Sequence, residues 1–292
     1  MISIIITAYK EQETIKKCIE SIINQKIEDN YEIIVLCPDK ETKEAALKYK
    51  VRHIEDPGLG KPTAINLALE RAQGELLILT DGDVFLEKDS ISKLTKFFED
   101  KSIGIVSGRP VSLNPKNNML GFWSHLLTDA GAHLTRLEKD KNNKFLVCSG
   151  YLMAIRNNVI KKIPENSLSD DAIISNLVYL KGYKTKYSPE SIVYVKFPTN
   201  FKDWIKQKRR STGGYLQIKE LINTKDKMRS FTKESSGILK ALSYPKTAKE
   251  YLWTFSLIIA RLYLWVDILI NIKLRKKEFS DIWQRAETTK QF

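Results

Sequence analysis

Histidine and cysteine are scarce in this chain, with three of each among 292 residues. Cys18, Cys37 and Cys148 are widely spaced and odd in number, which excludes a disulfide framework and the paired spacing of a structural zinc site. Each lies among apolar residues and reads as a plain core thiol of a reducing, intracellular compartment. His53, His125 and His133 are too dispersed to form a metal centre, although the last two, eight residues apart, could share one helical face. No collagen-like, Cys-rich or low-complexity segment is present, and no internal repeat. Acid is short relative to base: 35 Asp+Glu against 48 Lys+Arg give a net charge of +13. That surplus calls for anionic partners, such as phosphorylated ligands or anionic lipid. Nucleic acid would also fit, but no nucleic-acid signature is found, so none is expected. Met1–Ala8 is apolar without a preceding basic region or a following cleavage site, and reads as a buried first strand rather than a signal peptide.

What is present suits a folded chain. Hydrophobic residues make up 42% and charged residues 28%, which excludes a disordered protein. The length holds one large α/β domain, or a domain with an appendage. Ile2–Thr7, Glu32–Cys37, Val51–Ile54 and Glu75–Thr80 have the character of short buried strands. Between them, Glu13–Asn24 carries Ile15, Cys18, Ile19 and Ile22 at helical spacing. Lys40–Tyr49 and Thr63–Ala72 also read as helices, the latter stopped by Gly74. Strict alternation predicts a parallel sheet with right-handed crossovers, whose ligands gather beyond the carboxyl ends of the strands. Further strands are expected at Ile103–Ser107, Phe145–Ile155 and Tyr187–Val195. Further helices are expected near Phe122–Leu137, at Ser169–Lys181 and at Asn200–Gln217.

The chemistry-bearing motifs fall at those strand ends. Asp81-Gly82-Asp83 follows a strand, and two carboxylates one residue apart can hold a hard divalent cation that also takes diphosphate oxygens and water. A plain turn is the bland alternative; on the functional reading the small Gly82 lets a ligand approach the backbone. Asp170-Asp171 opens a helix after Ser169. It is either an acidic first turn beside an N-cap or a general base beside an acceptor hydroxyl. Gln207-Lys208-Arg209-Arg210 is either a solvated basic face or a clamp on a diphosphate. Asp56–Lys61 is turn-rich but lacks the spacing of a nucleoside-triphosphate loop, while leaving Lys61 placed to neutralise a phosphate.

Ile4–Glu11 (IIITAYKE), Gly60-Lys61, Asp81-Gly82-Asp83, Ser149-Gly150, Asp170-Asp171 and Gln207–Arg210 occur in this order. In that combination the chain resembles the family-2 glycosyltransferases of the GT-A fold, over about residues 1–215, and the similarity reaches processive members such as cellulose and hyaluronan synthases. The resemblance implies an α/β fold with a mixed, mainly parallel sheet flanked by helices. It implies an inverting, metal-dependent transfer of a sugar from a nucleotide diphosphate, probed first as a UDP-sugar, to a hydroxyl of a lipid-linked or glycan acceptor, with Mg²⁺ or Mn²⁺ as cofactor. Thr7, Ala8, Tyr9 and Glu11 match the segment that holds the nucleoside, and Asp81 and Asp83 match the metal and diphosphate motif. Asp171 matches the catalytic base, with Asp170, Ser149 and Gly150 on the acceptor side. Gln207 and Arg210 match a Gln-x-x-Arg-Trp motif beside the diphosphate. Two positions depart from the family pattern. Cys37-Pro38-Asp39 stands where the family has Asp-Asp-Gly-Ser, so Asp39 would read the base from a shifted position. Ser211 replaces the Trp, which argues against processive synthesis.

Residues 218–250 form a polar connection, and Tyr251–Ile272 is then mostly apolar despite Arg261 and Asp267. Such a segment is long enough to span a bilayer, or could lie along its surface; a buried core helix is the bland reading. Lys273, Arg275, Lys276 and Lys277 suit an anionic cytoplasmic membrane face. The expected organisation is a catalytic domain at 1–217 and a C-terminal, membrane-associated helical region at 218–292. Two rival functions remain at this point. A sugar-1-phosphate nucleotidyltransferase would carry a Gly-rich signature beside its first strand, which Thr7–Lys10 does not supply. A non-enzymatic basic module for membrane or nucleic acid would leave the ordered acidic motifs unexplained.

Overall fold

The structure is a computed structural model that describes residues 1–222, 241–270 and 285–290. Its centre is strand β1 (Ile2–Thr7), buried from end to end. Alternate residues feed two separate cores, Ile2, Ile4 and Ile6 on one side of the sheet and Ile5 on the other. A strand covered on both faces has no polar positions to spare, which is why this segment is a continuous β-branched run. Each fully buried Ile contributes about 1.5–3 kcal/mol, as an upper bound.

The first part of the chain alternates as its pattern predicts: α1 (Ile15–Ile23), β2 (Tyr31–Cys37), α2 (Lys40–Ala46), β3 (Arg52–Glu55), α3 (Lys61–Arg71) and β4 (Leu76–Asp81). β1 pairs in parallel with β2 and β4, in a register that sets Thr7 opposite Leu36 on one side and Asp81 on the other. Short elements follow: β5 (Val84–Leu86), α4 (Ser90–Thr95) and β6 (Ile103–Ser112). One helical unit then runs from α5 (Met119–Leu126) through a π segment (Leu127–His133) to α6 (Leu134–Lys141). β7 (Leu152–Arg156), α7 (Asp170–Leu180), β8 (Lys184–Val195) and α8 (Phe201–Ile222) complete the sheet and its cover. The eight strands lie in the order β3-β2-β1-β4-β7-β6-β8-β5, with β7 antiparallel to both β4 and β6. The expected mixed α/β sheet flanked by helices is what is found.

Several boundaries differ from the sequence expectation. The strand expected over Phe145–Ile155 is confined to β7. Upstream of it the amides of Leu146 and Cys148 donate to the hydroxyls of Thr185 and Ser175, both at 3.0 Å, so side chains replace a ladder there. β5 and α4 are too short to carry a readable period. Helix α8 continues past Gln217 to Ile222. Gly74 lies beyond the end of α3, which stops at Arg71, and its amide donates to the Ser3 hydroxyl at 2.8 Å. The three cysteines are buried free thiols. His125 faces the Asn114 carbonyl and His133 the Tyr187 hydroxyl, each at 2.7 Å, so both serve packing.

After the sheet comes α9 (Ala248–Ile268), started by a capping box in which Thr247 and Glu250 satisfy each other's backbone amides. A third core joins α5, α8 and α9 through Phe122, Trp123, Trp204, Leu257 and Ala260. The Trp123 indole donates to the Trp253 carbonyl at 2.6 Å, near the start of α9. Near its end, Arg209 of α8 grips Asp267 with two hydrogen bonds of 2.6 and 2.8 Å. α9 is therefore laid lengthwise on the sheet's helical cover. By length and composition it is apolar enough to cross a membrane, yet only 28% of its most apolar window is buried. Leu252, Phe255, Ile259, Leu262, Val266 and Leu269 form an exposed stripe along it. That disposition does not suit the buried core helix considered from sequence. The basic cluster Lys273–Lys277 lies outside the described residues.

Candidate active site

The carboxyl ends of β1, β2 and β4 bring together residues that are far apart in sequence. The Thr7 hydroxyl donates to Asp81 Oδ1 at 3.3 Å, and the Gly82 amide donates to the Thr7 carbonyl at 3.0 Å. Ala8 is buried and its amide donates to the Leu36 carbonyl, while Tyr9 is exposed. Asp39 is an N-cap: one carboxylate oxygen accepts from Thr42 N at 3.0 Å and the other from Lys10 N at 2.8 Å. Burial opposes its charge, but these hydrogen bonds outweigh it and hold the carboxyl below the ordinary range. Asp39 thus fixes the turn at Lys10, whose φ is +53°, in addition to any part in reading a base.

Gly82 proves necessary for a reason the sequence did not suggest. A Cβ there would lie 2.5 Å from Glu11 Oε2 and 2.8 Å from the Ala8 methyl. The missing side chain makes room for a buried carboxylate. Glu11 is 5% exposed, and its Oε2 is buried without a hydrogen-bond partner. Burial pushes its carboxyl up to about 8, Asp83 and Asp81 push the same way, and Lys290 opposes them.

Lys61, at the start of α3, ties the two acidic motifs together. Its ammonium lies 2.6 Å from Asp81 Oδ1 and 3.2 Å from Asp170 Oδ2. Burial works against its charge, but Asp170 and Asp81 outweigh burial and hold it as an ammonium. Burial likewise raises the Asp170 carboxyl, against the pull of Lys61. Adjacent residues of α7 therefore face different ways. Asp170, expected on the acceptor side, joins Lys61 and Asp81. Asp171 lines a separate cavity together with Ser149, Tyr151 and Gln207. Its position is set by three donors: the Ser169 hydroxyl at 2.6 Å and Ala172 N at 2.8 Å on Oδ1, and Gly150 N at 3.3 Å on Oδ2. Ser169 thus orients Asp171 instead of capping the helix.

The basic motif on α8 divides its labour. Gln207 donates to the Tyr151 hydroxyl at 3.5 Å, and its Oε1 is buried without a partner. Arg209 is committed to Asp267 and serves structure. Arg210 is half-buried, on the same face as Gln207, close enough to oppose the burial that pushes the Tyr151 phenol up. Tyr151 was not singled out from the sequence, although it adjoins Ser149-Gly150.

Lys290, a further participant, carries no sequence signal. Residues 285–290 lie back over the carboxyl ends of the strands. Arg285 donates to the Lys10 carbonyl at 2.7 Å, and Thr288 donates twice to Asp203 at 3.0 Å. The Lys290 ammonium then reaches Asp83 Oδ2 at 2.6 Å and bonds Glu11 Oε1. Both acids of the Asp81–Asp83 motif are thus neutralised by lysines, Asp81 by Lys61 and Asp83 by Lys290.

The donor set fits a divalent cation of the hard class. Asp81 and Asp83 offer carboxylate oxygens, with the orphaned Oε2 of Glu11 behind Gly82, and such oxygens suit Mg²⁺ or Mn²⁺. Among the described residues no three His, Cys, Asp or Glu side chains form a ready-made cage. A cation there would complete its shell with ligand oxygens and water.

The family described as glycosyltransferase like family 2 matches residues 1–214. A probable glycosyltransferase of Bacillus subtilis, YdaM, is 24% identical over 238 residues, covering 75% of this chain and 57% of the relative. The poly-beta-1,6-N-acetyl-D-glucosamine synthase of Staphylococcus aureus is 21% identical over 236 residues, covering 76% and 57%. The chain thus spans 57% of the length of these curated relatives. Among solved structures, the mannosyltransferase PcManGT of Pyrobaculum calidifontis, in complex with GDP-Man and Mn²⁺, superposes with a TM-score of 0.62 at 17% identity, over 91% of this chain and 83% of that one. S. aureus TarS in complex with UDP does so at 0.51 and 15% identity, over 83% and 70%. These likenesses show the GT-A fold, and the match over residues 1–214 settles the lineage: the chain belongs to the family-2-like glycosyltransferases.

Proposed function

We propose that the protein is an inverting, metal-dependent transferase that moves a sugar from a nucleotide diphosphate, a UDP-sugar first among the candidates, to a hydroxyl of a lipid-linked or glycan acceptor. The observation that carries this reading is the double ion pair of Lys61, which fastens the Asp81 motif to the α7 turn bearing Asp170 and Asp171. On this reading it holds the diphosphate site beside the general base without letting them merge. The comparisons lend support: solved relatives are recorded with UDP and with GDP-Man and Mn²⁺.

In this mechanism Thr7, Ala8, Tyr9 and Glu11 flank the nucleoside. Asp81 and Asp83 would hold Mg²⁺ or Mn²⁺, which when bound neutralises diphosphate charge. Lys61 stays at Asp81 as a fixed ammonium, and Arg210 adds a second cation on the α8 side. Asp171, held by Ser169, Gly150 and Ala172, takes the proton of the acceptor hydroxyl. The acceptor oxygen forms its bond to the anomeric carbon as the bond to the diphosphate oxygen breaks. The electron pair leaves with the nucleoside diphosphate. One displacement without a sugar–enzyme bond inverts the anomeric centre. The exposed stripe of α9, on a helix anchored at both ends to the catalytic cover, supports a helix lying in the interface of a membrane, at its cytoplasmic face, rather than spanning it alone.

The test is calorimetric binding of UDP, GDP, ADP and CDP with and without Mn²⁺. Mn²⁺-dependent binding of one nucleotide is expected, lost in Asp83→Asn and kept in Asp171→Asn, whose transfer rate should fall roughly 10²–10⁴-fold. Folded wild-type protein that binds none of the four, or binds without metal, overturns the reading.

A further inference from the structure

A cavity of about 630 Å³ lies between α8, α9 and the α5–π–α6 unit, and Asp171, Ser149 and Gln207 form its inner end. Its volume is that of a ligand site. Two features of its wall bear on what it holds. The first is hydrocarbon: Leu127, Trp204, Leu257, Ile258, Leu262 and Trp265 line it. A sugar chain placed against such a wall would lose its hydration without compensating hydrogen bonds. The second is charge: Arg136, Lys139, Lys208 and Arg261 line it as well. Arg136 is fixed near the inner end, its Nε donating to the Val147 carbonyl at 2.9 Å. Its Nη1 is buried and has no hydrogen-bond partner, which leaves a guanidinium with donor capacity to spare. The outer end reaches the surface at Gly131 and Leu262. Leu262 also belongs to the exposed apolar stripe of α9, so that stripe and the cavity wall are continuous.

We propose that the acceptor is a membrane amphiphile: a long apolar chain seated in this cavity and joined through a phosphate or diphosphate to the head that carries the reacting hydroxyl. This rests on the acceptor side assigned to Asp171 and names its substrate class. The chain enters along α9 without crossing water. The phosphate meets Arg136, which suits a phosphate oxygen better than an ammonium would. The head then reaches Asp171.

Trp204 and Trp265 supply a readout that needs no turnover. The probe is 10-bromodecyl phosphate, whose bromine quenches tryptophan fluorescence at contact, with 10-bromodecanol as the uncharged control. Saturable quenching by the phosphate is expected, at least tenfold tighter than by the alcohol. In Gly131→Leu the quenching should be lost. A Cβ at Gly131 meets only the Leu126 carbonyl oxygen, at 3.9 Å, so the substitution adds bulk at the cavity mouth without a backbone clash. In Arg136→Gln the preference for phosphate over alcohol should vanish while alcohol quenching persists. Farnesyl phosphate and didecanoyl phosphatidate, used as competitors, tell an isoprenoid chain from an acyl chain. Absence of saturable quenching, equal quenching in wild type and Gly131→Leu, or displacement by neither competitor overturns the proposal. Mn²⁺-dependent nucleotide binding, measured on the same samples, reports separately whether the donor side stands.

Discussion

Lys290 occupies the carboxylates that a metal would need, and this has a measurable consequence. Its ammonium bonds Asp83 at 2.6 Å and also Glu11, and a cation held by Asp83 has to displace it. A hydrogen bond between charged groups contributes about 1.5–3 kcal/mol net. The two contacts share one ammonium, and the lysine side chain is 20% exposed, so roughly 2 kcal/mol for closure is a fair figure. Metal affinity is then reduced by the fraction of molecules in which the segment is open. Removing the ammonium in Lys290→Ala should therefore tighten apparent Mn²⁺ binding by about 10- to 30-fold. The assay is electron paramagnetic resonance of free Mn²⁺ during titration, with the preferred nucleoside diphosphate present at saturation. Lys290→Arg, which keeps the charge, should stay near wild type. Unchanged affinity in Lys290→Ala would refute the competition. Weaker binding would refute it too, because it would make the ammonium a supporting member of the site.

Other predictions follow from single contacts. Gly82→Ala drives a methyl into Glu11 and Ala8; a stability loss of about 1–3 kcal/mol is expected, read by urea unfolding, together with weakened Mn²⁺-dependent nucleotide binding. Arg209→Gln strips the partner from the partly buried Asp267, with side-chain exposures of 24% and 12%. A cost of about 1–3 kcal/mol is expected, and a double-mutant cycle with Asp267→Asn should recover part of it if the pair is coupled. His125 and His133 both have their basicity lowered, chiefly by burial. Their folded pKa lies below the unfolded value of 6.5, so the stability they contribute is present above pH 6.5 and is lost as pH falls through the folded value. The melting temperature should decline below that pH, and His133→Phe should flatten the decline.

The sequence reading succeeded wherever the information was local. Ile2–Thr7 could only be a strand covered on both faces. The ordering of Asp81-Gly82-Asp83, Asp170-Asp171 and Gln207–Arg210 carried the family: the first sits where a strand ends, the second where a helix begins, and the third is a short polar run within α8. What local pattern does not show is the contacts whose partners are far apart in sequence. Asp267 looked like a cost inside an apolar segment, and its partner Arg209 lies 58 residues earlier. Gly82 reads from the sequence as room for a ligand, and the structure adds Glu11, 71 positions earlier, as its neighbour. Asp170 was placed with Asp171 because the two are adjacent, but successive residues in a helical first turn point about 100° apart, and here that rotation separates the Lys61 cluster from the cavity. Lys290 is 207 residues from Asp83, and nothing in its neighbourhood marks it.

Two of these contacts, at Asp267 and Lys290, share a place in the chain that bears on how it could acquire its own substrates. The family match ends at residue 214, and within it lie the sheet, the paired acids, Lys61 and Asp171, the base of the proposed mechanism. Asp267, Lys290 and the α9 wall of the cavity all lie beyond it. Within the matched part, Lys61 is a cation fixed at the start of a helix between two acids, and it stays whatever binds. Beyond it, Lys290 is held on Asp83 and Glu11 from residues 285–290, where a metal would have to displace it, while α9 lines one side of the cavity at Asp171. On the proposed function, the bond-making groups lie on α3, α7 and the strand ends they pack against, and entry would be governed by later elements: the donor where Lys290 withdraws, and the acceptor along α9. On that division, exchanging α9 and residues 285–290 with those of another family member should change which acceptor is used and how tightly metal binds. It should leave the nucleotide preference with the sheet, where Thr7, Tyr9 and Asp39 remain.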